Sequence, residues 1–132
     1  MRDPYSVAAF MTHTPLSIGK AQSLAAAHAL MDEHRIRHLP VVDGTSLVGM
    51  ISLGDVRLVE GSRRADPATI SVVEAMHGDV YTVAPTDALC QVADVMAARA
   101  YSSALVVDGE QVVGILTTVD LCRALAEVLR GN

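Results

Sequence analysis

Twenty residues from Ile36 to Asp55, IRHLPVVDGTSLVGMISLGD, return from Tyr101 to Asp120 as YSSALVVDGEQVVGILTTVD, 65 positions later and without a gap. The same offset aligns Ser6 with Ser71, Val7 with Val72, Met11 with Met76, Leu24 with Leu89 and Met31 with Met96. The chain of 132 residues is therefore two copies of one unit about half its length. The copies divide it into a first repeat over 1–61, a linker over 62–69 and a second repeat over 70–132. A unit of that size buries too little surface to be secure alone, so two that share a core are expected.

Each copy carries the same local instructions. An apolar run (LPVV, ALVV) meets Asp-Gly, and a second run (LVGMI, VVGIL) follows. Asp-Gly between two such runs predicts a tight hairpin whose two turn residues both tolerate positive φ. The second strand leads into Ser52-Leu-Gly-Asp55 or Thr117-Thr-Val-Asp120. A hydroxyl residue with an acid three positions on marks a helix start, because the hydroxyl accepts a free backbone N–H and the acid favours the positive helix end.

Ahead of the hairpin, Leu24, Ala27, Leu30 and Met31 recur at helical spacing within a predicted helix over about 21–34, and Leu89, Val92, Val95, Met96 and Ala100 repeat the pattern. Short helices open each copy, with Pro4 near the start of one, Ser6 to Met11 behind it, and Ser71 to Met76 as the counterpart. The stretch from Thr12 to Ile18 reads as loop with a short strand. Final helices run from Leu53 to about Glu60 and on to about Leu129. Each repeat thus reads α-β-α-β-β-α, and the repetition implies an α/β fold with pseudo-twofold symmetry.

Gly49-Met-Ile-Ser52-Leu-Gly-Asp55 and Gly114-Ile-Leu-Thr117-Thr-Val-Asp120 resemble the Gly-apolar-apolar-Ser/Thr-x-x-Asp signature of cystathionine-β-synthase (CBS) domains. His34 to Asp43 is similar to the family's preceding segment, and the likeness covers nearly the whole chain as a tandem pair, the arrangement called a Bateman module.

The Ser/Thr-x-x-Asp element admits two readings. In one it is only a helix cap after a strand whose glycine allows close packing. In the other, the free N–H groups of the helix start suit a phosphate, the hydroxyl adds a hydrogen bond, and the carboxylate accepts both hydroxyls of a ribose. The family resemblance implies the second. By it, Ser52 and Thr117 face phosphate and Asp55 and Asp120 face ribose. Leu16, Tyr81, Ile36 and Tyr101 fall where the family walls adenine, and Thr12 and His77 lie at the loop that closes the pocket. Arg37-His38 of the first copy is Ser102-Ser103 in the second. Basic residues there often meet phosphates in the family, which implies that phosphate affinity rests on the first copy; otherwise Arg37 and His38 are a solvated strand end.

Composition narrows the rest. Hydrophobic residues make up 51%, with no Trp, one Phe and three Tyr, so the core is aliphatic. Net charge is −5, and all of it falls in 67–132, since seven Lys/Arg balance seven Asp/Glu before that. A basic stripe for nucleic acid is missing. Apolar runs are too short to span a membrane, and the first ten residues do not read as a signal peptide, so a cytoplasmic protein is expected. Cys90 and Cys122 are expected as buried thiols. His34 and His38 are an i, i+4 pair, but the chain turns from helix to strand there, so no metal site is expected. No catalytic set or P-loop is evident, so an enzyme is not expected.

These readings converge on a regulatory module without a cofactor. It would bind an adenine-containing ligand (AMP, ADP, ATP or S-adenosylmethionine) in the cleft between its repeats and pass a conformational change to another, unknown protein. Apolar helix faces in so small a chain, and the family's habit, imply a homodimer. The alternatives are a ligand-free dimerisation or scaffold module and, less well supported, a metal-linked sensor built on the five histidines.

Overall fold

The structure, a computed structural model, describes residues 5–13, 16–62 and 64–131; the Pro4 reading lies outside them. The elements in chain order are α1 (Val7–Phe10), β1 (Thr12–His13), β2 (Ile18–Gly19), α2 (Leu24–His34), β3 (His38–Asp43), β4 (Ser46–Ser52), α3 (Leu53–Glu60), α4 (Val72–Ala75), β5 (Thr82–Val83), α5 (Leu89–Arg99), β6 (Ser103–Asp108), β7 (Gln111–Thr117) and α6 (Thr118–Leu129). The second repeat has the expected order α-β-α-β-β-α, and the first has it with one additional short strand, β1, ahead of β2. The first helix of the pair around residue 30 starts later than its periodicity suggests, because Ser23 caps it by accepting from Ala26 N at 3.0 Å.

The compact units are cut differently from the sequence repeats. A continuous unit runs from Leu16 to Val80, and a split unit joins the described residues before Leu16 to those from Tyr81 onward. Each unit takes its short helix from the other copy of the repeat. In the continuous unit, Val72 N donates to Gln22 O at 2.7 Å, Val73 N to Lys20 O at 3.1 Å, and Leu24 N to Ile70 O at 2.9 Å. In the split unit the equivalent residues, each 65 positions away, make the same anchors: Val7 N donates to Asp87 O, Ala8 N to Pro85 O, and Leu89 N to Tyr5 O, at 2.8–2.9 Å.

Burial follows those anchors. Val72 joins Leu24, Met31, Leu39, Val41, Ile51 and Val56 in the aliphatic core of the continuous unit. Val7 joins Leu89, Val92, Met96, Val106 and Leu116 in that of the split unit. The sheet of the continuous unit runs β2-β3-β4, and that of the split unit β1-β7-β6-β5.

Both hairpins form, with one change from expectation. Asp43 pairs with Ser46 and Asp108 with Gln111, so the two-residue turns are Gly44-Thr45 and Gly109-Glu110. Only the glycines, at φ 64° and 63°, take positive φ. A turn of that kind needs Gly at its first central position and leaves Asp as the last ladder residue. Val48 and Val113 are extra residues at bulges in the second strands, where the registers shift.

The cysteines correct the sequence reading: Cys90 and Cys122 are both free and exposed. In α5 the buried residues are Leu89, Val92 and Met96, and Cys90 lies one step, about 100° of helix rotation, off that face. In α6 the buried pair is Asp120 and Ala124, and Cys122 falls between them on the far side.

Candidate functional site

Each unit places a capped helix start at the end of its long hairpin strand. At α3, Asp55 N donates to Ser52 Oγ at 3.1 Å, and Asp55 Oδ2 accepts from Ser52 N and Ser52 Oγ, both at 2.8 Å. At α6, Asp120 N donates to Thr117 Oγ1 at 3.4 Å, and Asp120 Oδ2 accepts from Thr117 N at 2.8 Å and Thr117 Oγ1 at 3.1 Å. Both are complete capping boxes, so one carboxylate oxygen of each aspartate is committed to its helix.

The second oxygen separates the copies. Asp55 Oδ1 accepts from His77 Nε2 at 2.8 Å, and this imidazole is 70% exposed while the carboxylate is 17% exposed. Asp120 Oδ1 accepts from Thr12 Oγ1 at 2.9 Å, lies 3.4 Å from Arg123 Nη2, and its carboxylate is only 1% exposed. Thr12 and His77 occupy matching places, and a glycine admits each. A Cβ on Gly49 would lie 2.6 Å from His77 O, and one on Gly114 would lie 2.9 Å from Thr12 O. The backbones are locked there: Met50 N donates to His77 O and His77 N to Met50 O, both at 2.9 Å, while Thr12 pairs with Ile115 in the other unit.

The structure thus gathers Ser52, Asp55 and His77 in the continuous unit and Thr12, Thr117 and Asp120 in the split unit. His38 stands opposite Ser52 in the β3–β4 ladder and Ser103, buried, opposite Thr117 in β6–β7. Leu16 and Ile36 pack on the core of the continuous unit. Tyr81 and Tyr101 meet with ring centroids 5.5 Å apart in the split unit. Arg37 and Ser102 go elsewhere: Arg37 lines a groove beside α2 together with Arg35 and Arg57, and Ser102 lines the matching groove beside α5. Arg35 and Arg57 escaped the sequence reading. Aligning the copies could have found them, since their counterparts are Ala100 and Cys122.

Burial pushes the His38 imidazole below its ordinary value of 6.5; Asp55 opposes this and Arg37 adds to it. His38 is therefore neutral at pH 7, unlike the cation the phosphate reading would use. The unfolded chain binds the proton more readily than the folded one. Stability from this group is full above about pH 6.5 and falls as pH drops below it, until the folded pKa is passed. Replacing His38 with Gln should flatten the decline of the urea midpoint between about pH 7 and pH 5. An unchanged slope would place the titration elsewhere.

The CBS domain family matches residues 7–60 and 72–127. Among solved structures, a putative acetoin utilization protein (AcuB) from Vibrio cholerae is 30% identical, with a TM-score of 0.80, covering 98% of this chain and 95% of its own. The CBS domain pair of protein MJ0100, solved with 5′-methylthioadenosine and S-adenosyl-L-methionine, is 27% identical, with a TM-score of 0.82, covering 93% of this chain and 97% of its own. An A-adding tRNA nucleotidyltransferase of Geobacter sulfurreducens is 26% identical over 122 residues, but the chain covers 92% of itself and only 14% of that enzyme. With both repeats matched and their helix starts, hairpins and glycines in register, the chain belongs to the CBS domain family.

Proposed function

We propose that the chain is a regulatory module that holds an adenine-containing ligand, with a ribose on Asp55 and an anionic or polar tail at the Ser52 helix start. The observation that carries this reading is the state of Asp55 Oδ1, held by one exposed imidazole that a ribose hydroxyl can displace. The relative crystallised with 5′-methylthioadenosine and S-adenosyl-L-methionine supports the ligand class. At Asp120 a different observation favours the cap-only reading, because that carboxylate is buried with both oxygens engaged.

AMP, ADP, ATP, S-adenosylmethionine and adenosine, titrated by calorimetry, test the assignment. Asp55→Ala should weaken the tightest of them by about 1.5–3 kcal/mol, roughly 10- to 150-fold, through loss of charged hydrogen bonds. Binding equal to the parent would leave Ser52 and Asp55 as a cap and return the module to a scaffold role. A protein partner is the expected reader of the bound state.

A homodimer is part of the same proposal. On α6, Leu125, Val128 and Leu129 are exposed, and a groove of about 460 Å³ beside them is lined by Leu89, Ala93, Leu121 and Ala124. Exposed apolar residues gathered beside one apolar groove suit a surface that a second chain covers. Light scattering at micromolar concentration should give twice the monomer mass of 13.9 kDa. A clean monomer excludes the dimer.

A further inference from the structure

The two long helices of each unit flank a concave face, and the units finish that face in opposite ways. In the split unit a groove of about 460 Å³ lies beside α5 and α6, and a second of about 390 Å³ continues it toward Tyr101, the two sharing Ala93 and Leu121. Neither lining contains Asp, Glu, Lys, Arg or His. Leu125, Val128 and Leu129 stand beside the first groove, 52–77% exposed and one helical turn apart.

The continuous unit alters that face position by position. Sixty-five residues earlier, Ala93, Ala97 and Ala100 are His28, Asp32 and Arg35, while Ser102 is Arg37 and Leu125 is Glu60. His28 Nδ1 and Glu60 Oε2 meet at 2.5 Å where the split unit has only Ala93 and Leu125. The groove beside α2 and α3 is about 280 Å³ and is walled by His28, Asp32, Arg35, Arg37 and Arg57. The fold therefore makes the concave face twice, once ionic and once without charge.

Those two finishes call for different covers. Charged side chains set against apolar surface lose their water and gain no partners, so the α2–α3 face is a poor cover for the α5–α6 face. Nor does it suit its own copy, which would bring Arg35, Arg37 and Arg57 against the same three arginines. The α5–α6 face has neither defect. It carries ridge and groove side by side, and a two-fold axis sets the ridge of each copy against the groove of the other. Depletion of charge is what the core of a protein interface requires.

We propose that the α5–α6 face of the split unit is covered by the same face of a second copy, split unit against split unit, with the α2–α3 face outside the contact. This pairing rests on the homodimer reading and adds which faces meet. It places Cys90, which lines the first groove, inside the contact of both copies.

Light scattering over a concentration series tests it on variants at exposed positions, with circular dichroism to show that each is folded. Ala97→Glu and Leu125→Glu should each raise the dimer dissociation constant by more than about tenfold, because every substitution enters a two-fold contact twice and buries a charge. Asp32→Lys and Arg57→Glu should leave it within about twofold, as surface charges do. In a Cys122→Ser protein, a polymer-linked maleimide should label Cys90 more slowly as concentration rises through the dissociation constant. A parent that stays monomeric removes the homodimer and this pairing with it. A dimer that survives both Ala97→Glu and Leu125→Glu, or labelling of Cys90 that ignores concentration, keeps the homodimer and overturns the pairing. Dissociation by Asp32→Lys or Arg57→Glu as well would mean that unlike faces meet, and would overturn it too.

Discussion

Asp120→Ala should lower the free energy of unfolding by about 2–3 kcal/mol, whereas Asp55→Ala should lower it by about 1 kcal/mol. In both variants the helix loses a cap, worth about 1 kcal/mol. The difference arises at the second oxygen and in the surroundings. At Asp120, 1% exposed, removal leaves the Thr117 N–H without its acceptor in a site water does not reach, and releases Thr12 and Arg123. A stranded buried donor costs a further 1–3 kcal/mol. At Asp55 the partner is the 70%-exposed His77, which water can satisfy. Urea unfolding with unchanged m-values measures both losses. Equal losses would mean that the two aspartates are equally structural, and would remove the reason for assigning ligand binding to only one.

Gly49→Ala is expected to cost about 3 kcal/mol, the upper end of what an added methyl group does in a packed site. Its Cβ would come within 2.6 Å of His77 O and 2.7 Å of Met76 Sδ. The methionine can swing aside. The carbonyl cannot, because it accepts from Met50 N at 2.9 Å in a two-way backbone bridge. Gly54→Ala is the internal comparison. There the nearest atom is Ser52 Oγ at 3.6 Å, the residue is helical, and alanine should be neutral or stabilising by up to about 1 kcal/mol. If the two variants melt alike, the close approach at Gly49 is not a constraint on the fold.

Much of this was legible in the sequence, because it is local. Ser52 and Asp55 are three residues apart, so their cap is written in one helical turn, and the hairpins follow from Asp-Gly between apolar runs. The turn itself moved by one residue, since Asp-Gly-Thr-Ser and Asp-Gly-Glu-Gln each contain two possible two-residue turns and the bulge after Val41 or Val106 selects between them. Cys90 and Cys122 read as buried because both stand in helical patterns, and only the rotation about each helix tells its buried face from its exposed one. The contact between His77 and Asp55 and the closure of Asp120 by Thr12 were not legible. Those partners lie 22 and 108 residues apart, and nothing in either segment names the other. Nor could periodicity tell which copy's core receives Val7 or Val72. An apolar helix face fits either of two nearly identical grooves equally well.

Exchange of the opening helices sets a timetable for the growing chain. The continuous unit has all its parts once Val80 has been made, and can close while synthesis continues. The split unit cannot: Thr12 waits for Ile115 in β7 and for Asp120, 108 residues later. At ordinary rates of translation that is roughly 5–20 s during which Val7, Phe10 and Met11 have no core to enter. The cost of closing so long a loop rises only slowly with its length, so the delay is one of time more than of free energy. The helix Val7–Phe10 is thus made before its counterpart Val72–Ala75 but finds its core after it.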